Sequence, residues 1–299
     1  MTLTAFLFSM LPTAAADWPE FRGPTGQGHA SADSVPAELR PAQATWKVPV
    51  PGKGWSSPIV ANNQIFLTTA VPEPADAPTS YSLRSLSFDA NSGQLLWDRE
   101  VFQKSTADEV HSHAKNSFAS PTAVSDGEHV FVHFGPDGTA CLGFDGTLRW
   151  TNTDLRYNPQ HGAGGSLALF ADMLLLHGDG VDAPFIAALH RTSGKLAWKT
   201  LRPEMPAPRW SFSTPLVITL ADGQQQVISP ASHMACSYDP NTGEELWRVR
   251  YPNKWSVVPR PVFAHGLVYL CTGYDGRTPR DSAGWPRRHH GEPCGVADR

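Results

Sequence analysis

The chain has 299 residues, with 24 Lys and Arg against 28 Asp and Glu for a formal net charge of −4. That balance supplies no general basic surface for nucleic acid or anionic lipid. Its 25 glycines and 27 prolines would interrupt any long helix repeatedly.

In chain order, residues 1–16 hold an apolar run, Ala5 to Leu11, followed by Ala14-Ala15-Ala16 before Asp17. This pattern predicts a signal peptide with a small-residue cleavage site and hence a periplasmic or secreted protein, although no Lys or Arg stands near Met1. The rival reading is an apolar N-terminal strand. No cysteine adjoins the cleavage site, so no lipid anchor is expected, and no other segment approaches the ~18 apolar residues a membrane span needs. Residues 17–45 form a lead-in segment that opens Trp18-Pro19-Glu20-Phe21-Arg22-Gly23-Pro24.

From residue 46 the chain repeats itself. Gly93 to Trp97, Gly146 to Trp150, Gly194 to Trp198 and Gly243 to Trp247 are four copies of Gly-x-x-x-Trp, with Trp46 as a degenerate earlier copy. A period near ~50 residues signals a repeat architecture. Polar turns such as Asp89-Ala90-Asn91-Ser92 and Asp239-Pro240-Asn241-Thr242 precede the glycines, where an Asp can bond its own backbone and glycine accepts a positive φ. Each period also carries an earlier signature, Ser57-Pro58, Ser120-Pro121, Gly165-Ser166, Thr214-Pro215 or Arg260-Pro261, followed by a second short apolar strand. Four short strands per period make a propeller blade. A helical repeat is the alternative, but the apolar runs are strand-sized and rich in β-branched and aromatic residues. The chain is therefore read as all-β, a β-propeller over 46–276 with about four to five four-stranded blades and an incomplete ring.

The Asp-x-x-Thr/Ser-Gly-x-x-x-Trp signature resembles the PQQ-like (pyrroloquinoline-quinone-type) propeller repeat, shared by quinoprotein dehydrogenases and by the BamB-like scaffold of outer-membrane barrel assembly. The resemblance covers roughly residues 17–276 and fixes fold more than function. It implies two alternatives: a non-enzymatic scaffold that binds a protein or other extracytoplasmic ligand, or an oxidoreductase using PQQ with calcium. Quinoprotein dehydrogenases carry adjacent cysteines and acidic ligands beside the cofactor, and no matching residues occur here. No cofactor, catalytic residue or metal ligand is therefore assigned. Cys141, Cys236, Cys271 and Cys294 show no pairing spacing; the first three sit in or beside strand candidates and are expected as buried free thiols, with a disulfide as the alternative.

Among local motifs, His111-Ser112-His113-Ala114-Lys115-Asn116 precedes an inner strand and is the candidate channel mouth. Alternation puts both imidazoles on one side of an extended segment, suited to a metal or an anion, while a solvated loop is the competing reading. Gly162, Gly164 and Gly165 after His161 are expected to allow close packing near the axis. Asp179 and Asp182 are too few for calcium and mark a turn. Trp210 and Trp255 are read as packing or rim residues. The repeat residues Gly93, Trp97, Gly146, Trp150, Gly194, Trp198, Gly243 and Trp247 are structural, with each indole filling the gap between blades. Residues 277–299 contain no Ile, Leu, Phe, Tyr or Met, so they are expected to be a disordered or out-of-frame tail on a truncated propeller.

Overall fold

The computed structural model describes residues 17–30, 38, 40–108, 110–182, 184–203, 206, 211–251 and 257–271. The proposed signal peptide, the tail, Trp210, Trp255 and Cys294 lie outside the described residues.

The fold is an incomplete β-propeller. Four antiparallel four-stranded sheets follow one another in chain order. The first blade comprises β1 (Ile59–Ala61), β2 (Gln64–Glu73), β3 (Ser80–Asp89) and β4 (Leu95–Ser105). The second comprises β5 (Val124–Ser125), β6 (His129–His133), β7 (Thr139–Gly143) and β8 (Leu148–Asn152). In the third are β9 (Ala168–Phe170), β10 (Met173–Gly178), β11 (Phe185–His190) and β12 (Leu196–Leu201), and in the fourth β13 (Leu216–Thr219), β14 (Gln225–Ala231), β15 (Met234–Tyr238) and β16 (Glu245–Arg250). A fifth sheet shows β17 (Val262–Ala264) and β18 (Leu267–Tyr269). Helix is confined to two 3₁₀ turns among the described residues.

Alternation along each middle strand builds the core between blades rather than within them. On β6, Val130 and Val132 pack with Ile59, Phe66 and Leu83 of the first blade, whereas Phe131 between them joins Leu174 and Phe185 of the third. On β10, Leu174 and Leu176 face the second blade while Leu175 packs on Val227 and Met234 of the fourth. Successive side chains point to opposite faces of a strand, so a sheet buried on both faces needs an apolar residue at every position. That requirement explains Met173-Leu174-Leu175-Leu176 and the fully buried β7 and β15.

The repeat tryptophans join these units at the rim. Indole Nε1 donates from Trp46 to Ala90, from Trp97 to Phe144, from Trp150 to Arg191 and from Trp198 to Pro240, each time to a turn carbonyl of the next blade. Under each ring lies that turn's glycine: Gly93, Gly146, Gly194 and Gly243. Trp46 stands outside any strand yet does the same work for the first blade as Trp97 does for the second. Trp247 bonds Gln226 Oε1 of its own blade at 2.9 Å. Trp97 is buried and Trp150, Trp198 and Trp247 are half-buried.

Two sequence expectations are corrected. Cys141 and Cys236 are buried free thiols, but Cys271 is exposed because the chain leaves the short β18 before reaching it. Asp179 is more than a turn residue. It is buried in an ion pair with Arg202, at 2.6 and 3.1 Å.

Candidate binding site at the channel mouth

First strands of neighbouring blades touch, β1 with β5 and β9 with β13. A ladder of hydrogen bonds links their approaches. Ser57 N–H donates to Thr122 Oγ1 at 3.0 Å, Thr122 N–H to Ser166 Oγ at 2.9 Å and Ser166 N–H to Thr214 Oγ1 at 3.0 Å. Ser213 Oγ carries the girdle on to the Pro259 carbonyl at 2.9 Å. Ser166 and Thr214 of the second sequence signature are thus blade-to-blade acceptors, while in the second blade Thr122, two residues after the signature's Ser120, takes that part; the hydroxyls satisfy main-chain donors that would otherwise be left unpaired.

Below the girdle, the lead-in segment enters the ring of first strands. Trp18 exchanges two main-chain hydrogen bonds with Val60 on β1, at 2.7 and 3.0 Å, and Ser125 N–H donates to the Pro19 carbonyl at 2.8 Å. On the far side, Arg260 Nη1 donates to the Phe21 carbonyl at 2.7 Å and pairs with Glu20 at 2.9 Å, and Phe263 N–H donates to Gln27 Oε1 at 2.6 Å. Gly26 packs on the guanidinium face with φ +65°, a site where any side chain would displace Arg260. Residues 18–27 therefore stitch the first and second blades to the fifth sheet, and Phe21 reaches the wall of the larger cavity.

This larger cavity is a funnel of about 450 Å³. Phe212, Val258 and Trp55 wall it, and Trp55 and Val258 are each 59% exposed. Lys115 and Asn116 stand at its edge. A second cavity, about 290 Å³, adjoins it between the first two blades and takes His111, His113, Lys53, Tyr81 and Phe118 in its walls. The four predicted mouth residues are thus divided: His111 and His113 in the smaller cavity, Lys115 in the larger, and Asn116 in both.

Asn116 is the fixed partition. Its Nδ2 donates to the carbonyls of His161 and Ala163 at 2.9 and 3.2 Å, and its Oδ1 accepts from Ser117 N–H and Ser120 Oγ. His113 Nδ1 accepts the Lys115 N–H at 3.1 Å, and its ring meets His161 edge-on at 5.1 Å. His161 in turn stacks on Phe212 at 6.5 Å. Partial burial and the neighbouring His113 hold the His161 imidazole below its ordinary pKa. An imidazole–imidazole–phenyl series therefore runs from one cavity to the other.

Trp55, Phe212 and Phe21 were not singled out from sequence as mouth residues, because isolated aromatics outside a repeat carry no spacing signal. Arg202 was missed as well. Its guanidinium pairs with Asp179 and donates to Ser229 Oγ at 2.7 Å, and that hydroxyl lies 3.1 Å from His177 Nδ1, tying the third blade to the fourth. This cluster is buried.

Calcium is the ion that the PQQ-like resemblance implies. Calcium takes six to eight oxygens, many of them carboxylate. No carboxylate lines either cavity among the described residues, and no three His, Cys, Asp or Glu side chains converge as a metal site. The donor set does not fit the ion.

A family profile described as outer membrane protein assembly factor BamB matches residues 83–293. The chain belongs to this family. No curated protein matches it in sequence. Among solved structures, this BamB-family propeller is similar to the quinohemoprotein alcohol dehydrogenase from Comamonas testosteroni. The two share 12% identity, with a TM-score of 0.57 over 86% of this chain and 46% of that one. It is also similar to BamB from Moraxella catarrhalis, with 12% identity and a TM-score of 0.45 over 75% of this chain and 59% of the other. At such identities the first likeness is one of fold, and the chain spans less than half of that dehydrogenase. No helix among the described residues is long and apolar enough to cross a membrane.

Proposed function

We propose that this chain is an extracytoplasmic binding module that engages a protein partner through the channel mouth and performs no chemistry of its own. Trp55 carries the assignment. A large indole 59% exposed beside a concave, partly apolar funnel is the arrangement of a recognition anchor, since aromatic side chains in pockets dominate the energetics of protein interfaces. Membership of a family described by an outer-membrane assembly factor supports the location and the kind of role.

Three hydroxyls of the larger cavity, those of Thr122, Ser166 and Thr214, are engaged in the girdle as acceptors of main-chain N–H groups. Such a wall suits binding by shape better than acid–base work. In this reading the module operates without quinone or calcium.

The test is affinity capture from periplasmic extract with the wild-type chain and with Trp55→Ala and Phe212→Ala. A partner retained by the wild type and lost from both variants is expected. Equal capture by all three would move recognition away from the mouth. Saturable quinone binding with alcohol-dependent dye reduction would replace the reading with an oxidoreductase.

A further inference from the structure

We infer that the segment taken by the mouth is an acidic, extended polypeptide that places an apolar side chain in the funnel; this rests on the binding-module reading and names the chemistry of its partner. Charge is the first ground. In a chain of net charge −4, Lys53 lines the smaller cavity together with His111 and His113, Lys115 lines the larger, and no carboxylate lines either among the described residues. Both lysines are exposed.

Their pairing differs from that of cations deeper in the fold. Lys104 is paired with Asp137, Arg191 with Asp126, Arg202 with Asp179 and Arg260 with Glu20. Lys53 instead donates to the Ala114 carbonyl at 3.1 Å and lies 5.8 Å from the Trp55 ring centroid. Neither Lys53 nor Lys115 has an ion-pair partner among the described residues. Like-signed groups left together at a concave surface raise the local concentration of the opposite charge and steer its approach.

Shape is the second ground. The two cavities share Asn116, so the site is an elongated track with an apolar end rather than one compact pocket. A ligand fitting it must be elongated, carry negative groups at separated positions and offer an apolar group to Trp55 and Phe212 in the larger cavity. An extended peptide, rising ~3.3 Å per residue with side chains alternating in direction, meets all three conditions. A small rigid anion meets only one.

The test uses fluorescence anisotropy on the full chain with three probes: a fluorescein-labelled peptide alternating glutamate with phenylalanine, the same peptide with lysine for glutamate, and labelled heparin. Saturable binding of the acidic peptide is expected, weakened at least about tenfold by Lys53→Glu with Lys115→Glu, at least about fivefold by Trp55→Ala, and strongly by raised salt. Both lysines are exposed, so an unchanged thermal melt will show that the charge-reversed chain still folds.

Equal binding of the lysine peptide, equal binding of heparin, or indifference to charge reversal would overturn the inference. If the acidic peptide fails to bind while Trp55-dependent capture of a partner succeeds, the acidic segment is wrong and the binding module stands. Failure of both experiments removes both.

Discussion

The indole of Trp97 lies against Gly146 of the next blade: a Cβ built there would sit 2.8 Å from the ring's Cγ, and Trp97 Nε1 donates to the Phe144 carbonyl at 2.8 Å. One glycine thus serves two demands, a φ of +77° that closes the turn and a flat surface for the ring. Gly146→Ala is expected to destabilise the chain by about 2 kcal/mol or more, combining backbone strain with overpacking. Trp97→Ala should cost about 3–5 kcal/mol. Urea denaturation of both variants checks this, and a Gly146→Ala chain as stable as wild type would separate the turn from the docking.

The enclosed pair between Asp179 and Arg202 makes a different prediction. Removing one partner of a buried ion pair strands the other's charge, at about 3–5 kcal/mol, whereas replacing both with apolar groups can be close to neutral. Arg202→Met alone should therefore lower the denaturation midpoint sharply. Adding Asp179→Leu should restore much of it. Failure of the double variant to recover would mean that the bonds from Arg202 to Ser229 are the larger part of its role.

Acid sensitivity follows from two buried imidazoles. Burial, with the neighbouring His177 adding to it, holds His133 at about 4, and burial with the charge of Arg202 holds His177 at about 3, both well under 6.5. Between those values and 6.5 the unfolded chain binds protons that the folded chain refuses, so stability rises with pH there and is lost as pH falls below 6.5. A decline of a few kcal/mol between pH 6.5 and 4 is expected, since each tenfold difference in proton affinity between the folded and unfolded chain is worth ~1.4 kcal/mol. Thermal melts across that range should show a smaller fall for His177→Gln than for wild type.

The lead-in gives a fourth expectation. Arg260 holds it through Glu20 and the Phe21 carbonyl, and Gly26 fits against the guanidinium. Arg260→Leu should release residues 18–27 from the fifth sheet while leaving the first four blades folded. Hydrogen exchange would register faster labelling of Phe21 to Gln27 with β6, β10 and β14 still protected. Unchanged labelling would place the holding force at Trp18 and Val60.

Much of the fold was legible because a propeller writes the same local rules repeatedly. Gly-x-x-x-Trp located β4, β8, β12 and β16, and polar turns located the hairpins. The second blade's β5 begins at Val124, three residues beyond Pro121, since Thr122 is drawn into the girdle before the strand forms. The site was less legible. His111, His113, Lys115 and Asn116 stand in a dense local motif, and the structure places them at two adjoining cavities. Trp55 and Phe212 reach the same mouth from distant parts of the chain. Arg202 and Asp179 meet because β11 and β12 return the chain past its own loop, and an ion pair made that way leaves no spacing to read.

The girdle from Ser57 to Thr214 has a wider consequence. Every link in it, like each rim indole from Trp46 to Trp198, joins a blade to the one immediately after, and no link skips a neighbour. Apart from residues 18–27, which tie the first two blades to the fifth sheet, the run of blades is quasi-one-dimensional although it curves. Duplicating a single repeat reproduces both ends of its own girdle and rim connection, so the added blade requires no new blade-to-blade interface, and the strain of lengthening falls on the bridge made by residues 18–27. Damage obeys the same law: a defect at one junction weakens two adjoining blades and leaves the others to fold by their own contacts.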